Sequence, residues 1–183
     1  MFVWQFLVHM VFKVYDDDFV ELPAAVEAVL KENVKESGMI MVPHADSDDK
    51  EAYDKAMEQA ATGFSLFGPV NLAGRNGFGT ALGIQFVLNV LASALLMFVL
   101  LAASPQTLGS RVALVICFAV FSVLTNVIPD WNWWGYSWHY IGGQIGEQVV
   151  GWALVGLVFS KVMDKCADCC GGEDDSGSAE PTT

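Results

Sequence analysis

The sequence predicts a mainly α-helical, polytopic membrane bundle carrying a small α+β domain outside the bilayer. Three observations predict it. Residues 79–163 contain three long apolar runs with short polar breaks. Gly79–Ala103 and Val112–Pro129 have no charged residue, and Tyr140–Ser160 has one, Glu147. A hydrocarbon core about 30 Å thick is crossed by about 20 apolar helical residues, so each run is long enough to span. The 183 residues carry a formal net charge of −12, and that charge is unevenly placed. Thirteen acids fall between Asp16 and Glu58 and six between Asp164 and Glu180, leaving the apolar runs nearly neutral.

Residues 1–15 form a first membrane segment. Phe2–Val14 as a helix is about 20 Å long, shorter than a span. It has no basic start or small-residue cleavage site, so it is not read as a signal peptide. The favoured reading is the outer part of a membrane helix whose start lies upstream. A tilted interfacial anchor and a re-entrant piece are the other two readings.

Residues 16–78 form the acidic domain, expected on the extracytoplasmic side. Leu22, Val26, Val29, Leu30 and Val34 recur at helical spacing, with Pro23 in the first turn and Gly38 past the end. Met39–Val42, closed by Pro43, predicts a short strand. Ser47 and Asp48 offer an N-cap, with Glu51 three residues after Asp48 as in a capping box. The helix then runs to about Ala61, and Gly63 can stop it. Phe64–Phe67 predicts a second strand. Helix, strand, helix, strand is too little for a self-sufficient core, so this domain is expected to pack on the membrane helices or on a partner. No cysteine lies in it to form a staple.

Residues 79–163 form a three-helix transmembrane region, and 164–183 a disordered cytoplasmic tail of Gly, Ser, acids and Pro. Arg111, Lys161 and Lys165 flank the first break and the last run, while Asp130–His139 has no Lys or Arg. The positive-inside rule then puts both termini in the cytoplasm, with Lys13 weighing slightly against. The expected location is a bacterial inner (cytoplasmic) membrane.

Several groups suggest chemistry. Polar residues inside apolar helices normally face the bundle interior and pair with one another. That picks out His9, Gln85, Asn89, Asn126, Gln144, Glu147 and Gln148 as an intramembrane polar cluster, with Gln5, His9 and Lys13 sharing one face and Ser93 extending the Gln85–Asn89 stripe. The bland reading is hydrogen bonding that fixes packing. The sharper one is a cavity for a proton, an ion or a head group. Trp131, Trp133, Trp134, Trp138 and His139 read as an interfacial aromatic belt on a short re-entrant loop, or as an outer-face binding surface. His9 and His139, one on each of two helices, weakly suggest haem ligation.

Cys117 reads as packing. Cys166, Cys169 and Cys170 resemble half of a zinc or redox motif, without the four ligands structural zinc wants. His44, Asp46, Asp48 and Asp49 suggest a cation site, but acids in a first helical turn also stabilise the helix dipole. Gly79 with Gly83, and Gly142 with Gly146, have the spacing that lets helices approach closely. The acidic charge disfavours nucleic acid as a partner. No nucleophile elbow, P-loop or zinc-protease motif is present, and no catalytic residue, cofactor or metal is assigned.

Phe2-Val3-Trp4 with His9-Met10, then Leu22-Pro23 through Pro43, then Trp131-Asn132-Trp133 with Gln148-Val149-Val150-Gly151-Trp152 resemble a family of small uncharacterised bacterial four-helix membrane proteins. The resemblance covers most of residues 1–163 and excludes the cysteine tail. Members carry further apolar residues before the Phe-Val-Trp stretch. The resemblance implies four membrane segments and no particular chemistry. The expected function is a non-enzymatic accessory or scaffold protein, in contact with the lipid bilayer and with other membrane subunits or itself. A small transporter or ligand-binding protein using the polar cluster is the alternative, and an electron-transfer subunit the second alternative.

Overall fold

A computed structural model describes residues 1–170, with the backbone alone for residues 167–170. The described residues form two compact units, Met1–Phe19 with those from Ala81 to Cys170, and Val20–Thr80.

Among the described residues, three helices are long and apolar enough to cross a membrane, Phe78–Ala103, Leu108–Trp134 and Trp138–Cys166, and all but the first three residues of the first lie in the first unit. Helix α1 (Phe2–Phe6) continues directly into a π-turn, Leu7–Val11, and together they make a shorter apolar helix. Lys13 adopts φ +52°, which ends the segment. A 3-10 turn at Asp16–Asp18 follows.

Helix α4 (Phe78–Ala103) is closed off at Ser104, whose backbone N–H bonds the Leu100 carbonyl. Helix α5 (Leu108–Ser122) starts at a capping box in which Thr107 and Ser110 satisfy each other's backbone N–H groups. It passes through a π-turn, Val123–Val127, into α6 (Ile128–Trp134). The sequence reading ended this run at Pro129. The helix instead carries on to Trp134, because Pro129 lies in the first turn after the π-turn, where a missing N–H is tolerated. Gly135, at φ +71°, closes it. The aromatic stretch is therefore a helix end and a helix start rather than a re-entrant loop.

Helix α7 (Trp138–Cys170) runs past the point where a disordered tail was expected to begin. The expectation for residues 171–183 lies outside the described residues.

Two apolar clusters hold the unit together. Leu96, Leu100, Val115 and Val155 make one, and Val123, Val127 and Ile141 the other. Close approach depends on glycines, though not on the expected pairs. A Cβ on Gly79, Gly83, Gly142 or Gly146 would meet nothing within 4 Å. A Cβ on Gly156 would stand 3.3 Å from the Val115 Cβ, on Gly151 2.7 Å from the Trp4 Cδ1, and on Gly143 2.8 Å from the Tyr15 Cε1. The packed face of α7 is thus turned away from the GxxxG-type spacing. Cys117 is exposed on the bundle surface rather than packed between helices.

The second unit follows the expected order. Helix α2 (Ala24–Asn33), strand β1 (Gly38–Val42), helix α3 (Lys50–Thr62) and strand β2 (Leu66–Val70) alternate. The strands pair antiparallel from Gly38 opposite Val70 to Val42 opposite Leu66. The N-cap of α3 is Asp49, one residue later than expected. Its Oδ1 accepts from the Ala52 N–H, so the Asp48–Glu51 box does not form. Among this unit's residues only Ala56 is buried, at 5% exposure. Leu22, Val26, Val29, Tyr53, Phe64 and Leu66 are exposed.

Candidate functional site

Glu147 is the centre of the polar groups in the membrane unit. It lies in the N-terminal part of the apolar stretch of α7 and is 8% exposed. A carboxylate removed from water must be hydrogen-bonded or neutralised. The first segment supplies the partners. The Gln5 Nε2 donates to Glu147 Oε1 at 3.1 Å. The Tyr15 hydroxyl donates to Oε2 at 2.8 Å. The His9 Nε2 stands 3.2 Å from the same oxygen. The Trp4 indole N–H donates to the Glu147 main-chain carbonyl at 3.0 Å.

Local backbone geometry makes this convergence possible. In a π-turn each carbonyl is bonded one residue further on than in an α-helix, here with the Phe12 N–H meeting the Leu7 carbonyl at 2.8 Å. The wider turn keeps Gln5 and His9 on the Glu147 side. The left-handed Lys13 then turns the chain, so Lys13 departs from the expected shared face and pairs with Asp16 at 3.6 Å. Tyr15, after the turn, folds back to Glu147, with its ring stacked on His9 at 4.9 Å between centroids.

Gln5 carries the network across to α4. Its Oε1 accepts from the Asn89 Nδ2 at 2.7 Å and from the Gln85 Nε2 at 3.2 Å. Asn89 is buried and Gln85 exposed. The Gln85, Asn89 and Glu147 side chains thus belong to one network, joined through Gln5 rather than to one another. Ser93, further along α4, lines an apolar groove with Met1, Trp4 and Phe159.

Gln144 and Gln148 flank Glu147 on α7. With His9, Tyr15, Tyr140 and Glu147 they line a pocket of about 150 Å³. The Gln148 Oε1 accepts from the Trp152 indole at 3.1 Å. Asn126 is not part of the centre. It is exposed, and its Nδ2 donates to the Ser122 carbonyl at 3.1 Å and the Thr125 hydroxyl at 3.0 Å, both on its own helix.

The aromatic stretch forms a second group. The Trp131 and Trp138 rings lie 4.5 Å apart across the Gly135 turn. Trp133 and Trp134 are exposed. The His139 Nδ1 sits 2.8 Å from Asp18 Oδ2, and the Ser137 hydroxyl donates to Asp18 Oδ1 at 2.6 Å. These two bonds hold the Asp18 carboxyl below the usual carboxylate range. His9 and His139 each have a carboxylate partner of their own, and no three His, Cys, Asp or Glu side chains gather to hold a metal among the described residues.

At the other end of the bundle, Arg111 ties the α4–α5 break to α7. Its Nε donates to the Pro105 carbonyl at 3.0 Å, and its Nη1 to the Ser160 carbonyl at 3.2 Å and to Asp164. In the second unit, Asp46 accepts from the Asp48 N–H and Asp49 caps α3, so these acids serve the helix start. Cys166 is a free, exposed thiol. The side chains of Cys169 and Cys170 lie outside the described residues.

The residues missed in the sequence are Tyr15 and Trp4, with Gln5 underweighted. Tyr15 directly precedes an acidic run and reads as the end of a segment. Its hydroxyl was the one available signal. Comparison with protein-family models, with curated proteins and with solved structures finds no match.

Proposed function

We propose that this chain is a multi-pass accessory or scaffold protein of a bacterial inner membrane, without catalytic activity of its own. One observation carries the reading: the buried Glu147 carboxylate is occupied by Gln5, His9 and Tyr15, and among the described residues no buried side-chain polar atom lacks a partner. Such a network fixes one arrangement of helices. The Val20–Thr80 unit supports an assembly role, because it leaves Leu22, Val26 and Val29 exposed on one helix and its approach. The partner is another membrane subunit or a second copy.

The proposed topology has four membrane segments, with both termini cytoplasmic and the Val20–Thr80 unit extracytoplasmic. The first segment runs antiparallel to α7, Trp4 lying at Gly151 and Tyr15 at Gly143. Arg111 reaches Asp164, so the basic residues of the first break and of the end of α7 share one end of the bundle, read as the cytoplasmic one.

Purification in mild detergent tests the function. A complex of fixed stoichiometry, lost on Val26→Lys with Val29→Lys, is the expected result. A monodisperse single chain, unchanged by those substitutions, would overturn it. A reporter after Lys165 should read cytoplasmic and one near Ser47 extracytoplasmic. The same side for both defeats the topology.

A further inference from the structure

We infer that the pocket over Glu147 binds a small primary ammonium group. This goes beyond the scaffold reading and does not depend on it. Glu147 lines the pocket, and among the described residues neither Lys nor Arg does. A carboxylate held in an apolar span without a permanent cation beside it favours any cation that can enter. Gln5 and Tyr15 donate to the carboxylate and the His9 Nε2 stands 3.2 Å from it, which leaves lone-pair sites for a further partner.

The walls fit an organic ammonium better than a metal ion. The Tyr15 and Tyr140 rings, 5.2 Å apart at 58°, line the same pocket and put aromatic surface beside the carboxylate, against which the carbon end of an organic ammonium can pack. Metal ions with oxygen ligands call for several carboxylates, and among the described residues Glu147 alone brings one to the pocket. The Tyr140 hydroxyl and the Gln144 side-chain amide line the same space and make no hydrogen bond within the described residues. An –NH3⁺ group has three donors. Glu147, the Gln144 carbonyl and the Tyr140 hydroxyl can take them. The volume of about 150 Å³ suits a group of a few heavy atoms.

The same chemistry comes from an ethanolamine lipid head group or from a free amine in water. Calorimetric titration with ethylammonium chloride, on the full chain in nanodiscs of phosphatidylcholine and phosphatidylglycerol, should give saturable binding. Glu147→Gln should weaken it on the order of tenfold or more. Gln144→Leu, which breaks no hydrogen bond of the fold, should weaken it about threefold to tenfold and serves if Glu147→Gln does not fold. Replacing phosphatidylcholine by phosphatidylethanolamine separates the sources. Suppressed ethylammonium binding then identifies the head group, and unchanged binding identifies the free amine. No saturable binding, full affinity in both variants, or equal competition by sodium chloride would each overturn the inference.

Discussion

The two units of this chain treat apolar surface in opposite ways. The membrane unit exposes Phe86, Leu91, Leu95, Phe98 and Phe121 and buries Asn89, Glu147 and Ser160. The Val20–Thr80 unit exposes Leu22, Val29, Met39 and Phe64 as well, but buries only Ala56. In hydrocarbon, outward apolar side chains cost nothing, and specificity comes from polar pairs inside. In water, the same exposure leaves a unit without the burial that offsets chain entropy. The lesson is that the exposed apolar side chains of the first unit sit on helices long and apolar enough to lie in lipid, whereas those of the second sit on a small α+β unit that buries only Ala56.

The largest expected effect breaks the polar pairs. Glu147→Leu strands the Gln5 amide, the Tyr15 hydroxyl and His9 together, a loss on the order of 3 kcal/mol or more. Thermal unfolding in detergent should show it, while hydrogen exchange of α2 and α3 stays unchanged. A matching loss of protection in α3 would mean that the two units do not behave separately.

Next come the close approaches. Gly143→Ala and Gly151→Ala place a methyl inside contact distance of Tyr15 and Trp4. Each should cost about 1–3 kcal/mol, since overpacking forces the first segment away. Gly142→Ala and Gly146→Ala, where a Cβ meets nothing, should be near neutral. Equal effects at all four positions would refute the described face of α7.

Asp49→Ala probes the weaker unit. Loss of the cap on Ala52 should cost about 1 kcal/mol. Because this unit buries so little, that loss should unfold α3 ahead of the membrane unit, visible as an early transition in circular dichroism.

The smallest effect is in pH. Asp18 has a lowered pKa, from the bonds of Ser137 and His139. Its contribution is therefore complete above the ordinary carboxylate range and is lost as pH falls through the lowered value. Asp18→Asn should remove that acid-side dependence by lowering stability at neutral pH towards the acid value. An unaltered acid profile would assign the dependence elsewhere.

Legibility followed the physics. Gly79–Ala103 was plain because a long uncharged run has few other uses, and the helix through Pro129 was hidden because a π-turn has no composition of its own. Gln85, Asn89 and Glu147 stood out as polar groups in apolar helices. Their connection through Gln5 did not, because it depends on how two helices sit beside each other. Asn126 looked equivalent to Asn89, yet it serves its own helix, a choice set by facing direction. Tyr15 carries no sequence signal beyond its hydroxyl, because a tyrosine at a segment end is commonplace.

The π-turn at Leu7–Val11 has a consequence for how this sequence can change over generations. It places Gln5 before the turn and Tyr15 after it on a single carboxylate. Removing one residue between them would rotate one relative to the other by about 100°, the angle of one α-helical step. Both could not then meet Glu147. The exposed positions Val3, Phe6 and Val11 can drift among apolar residues, but the spacing from Gln5 to Tyr15 cannot. Homologous chains should therefore vary in this stretch by substitution and not by length.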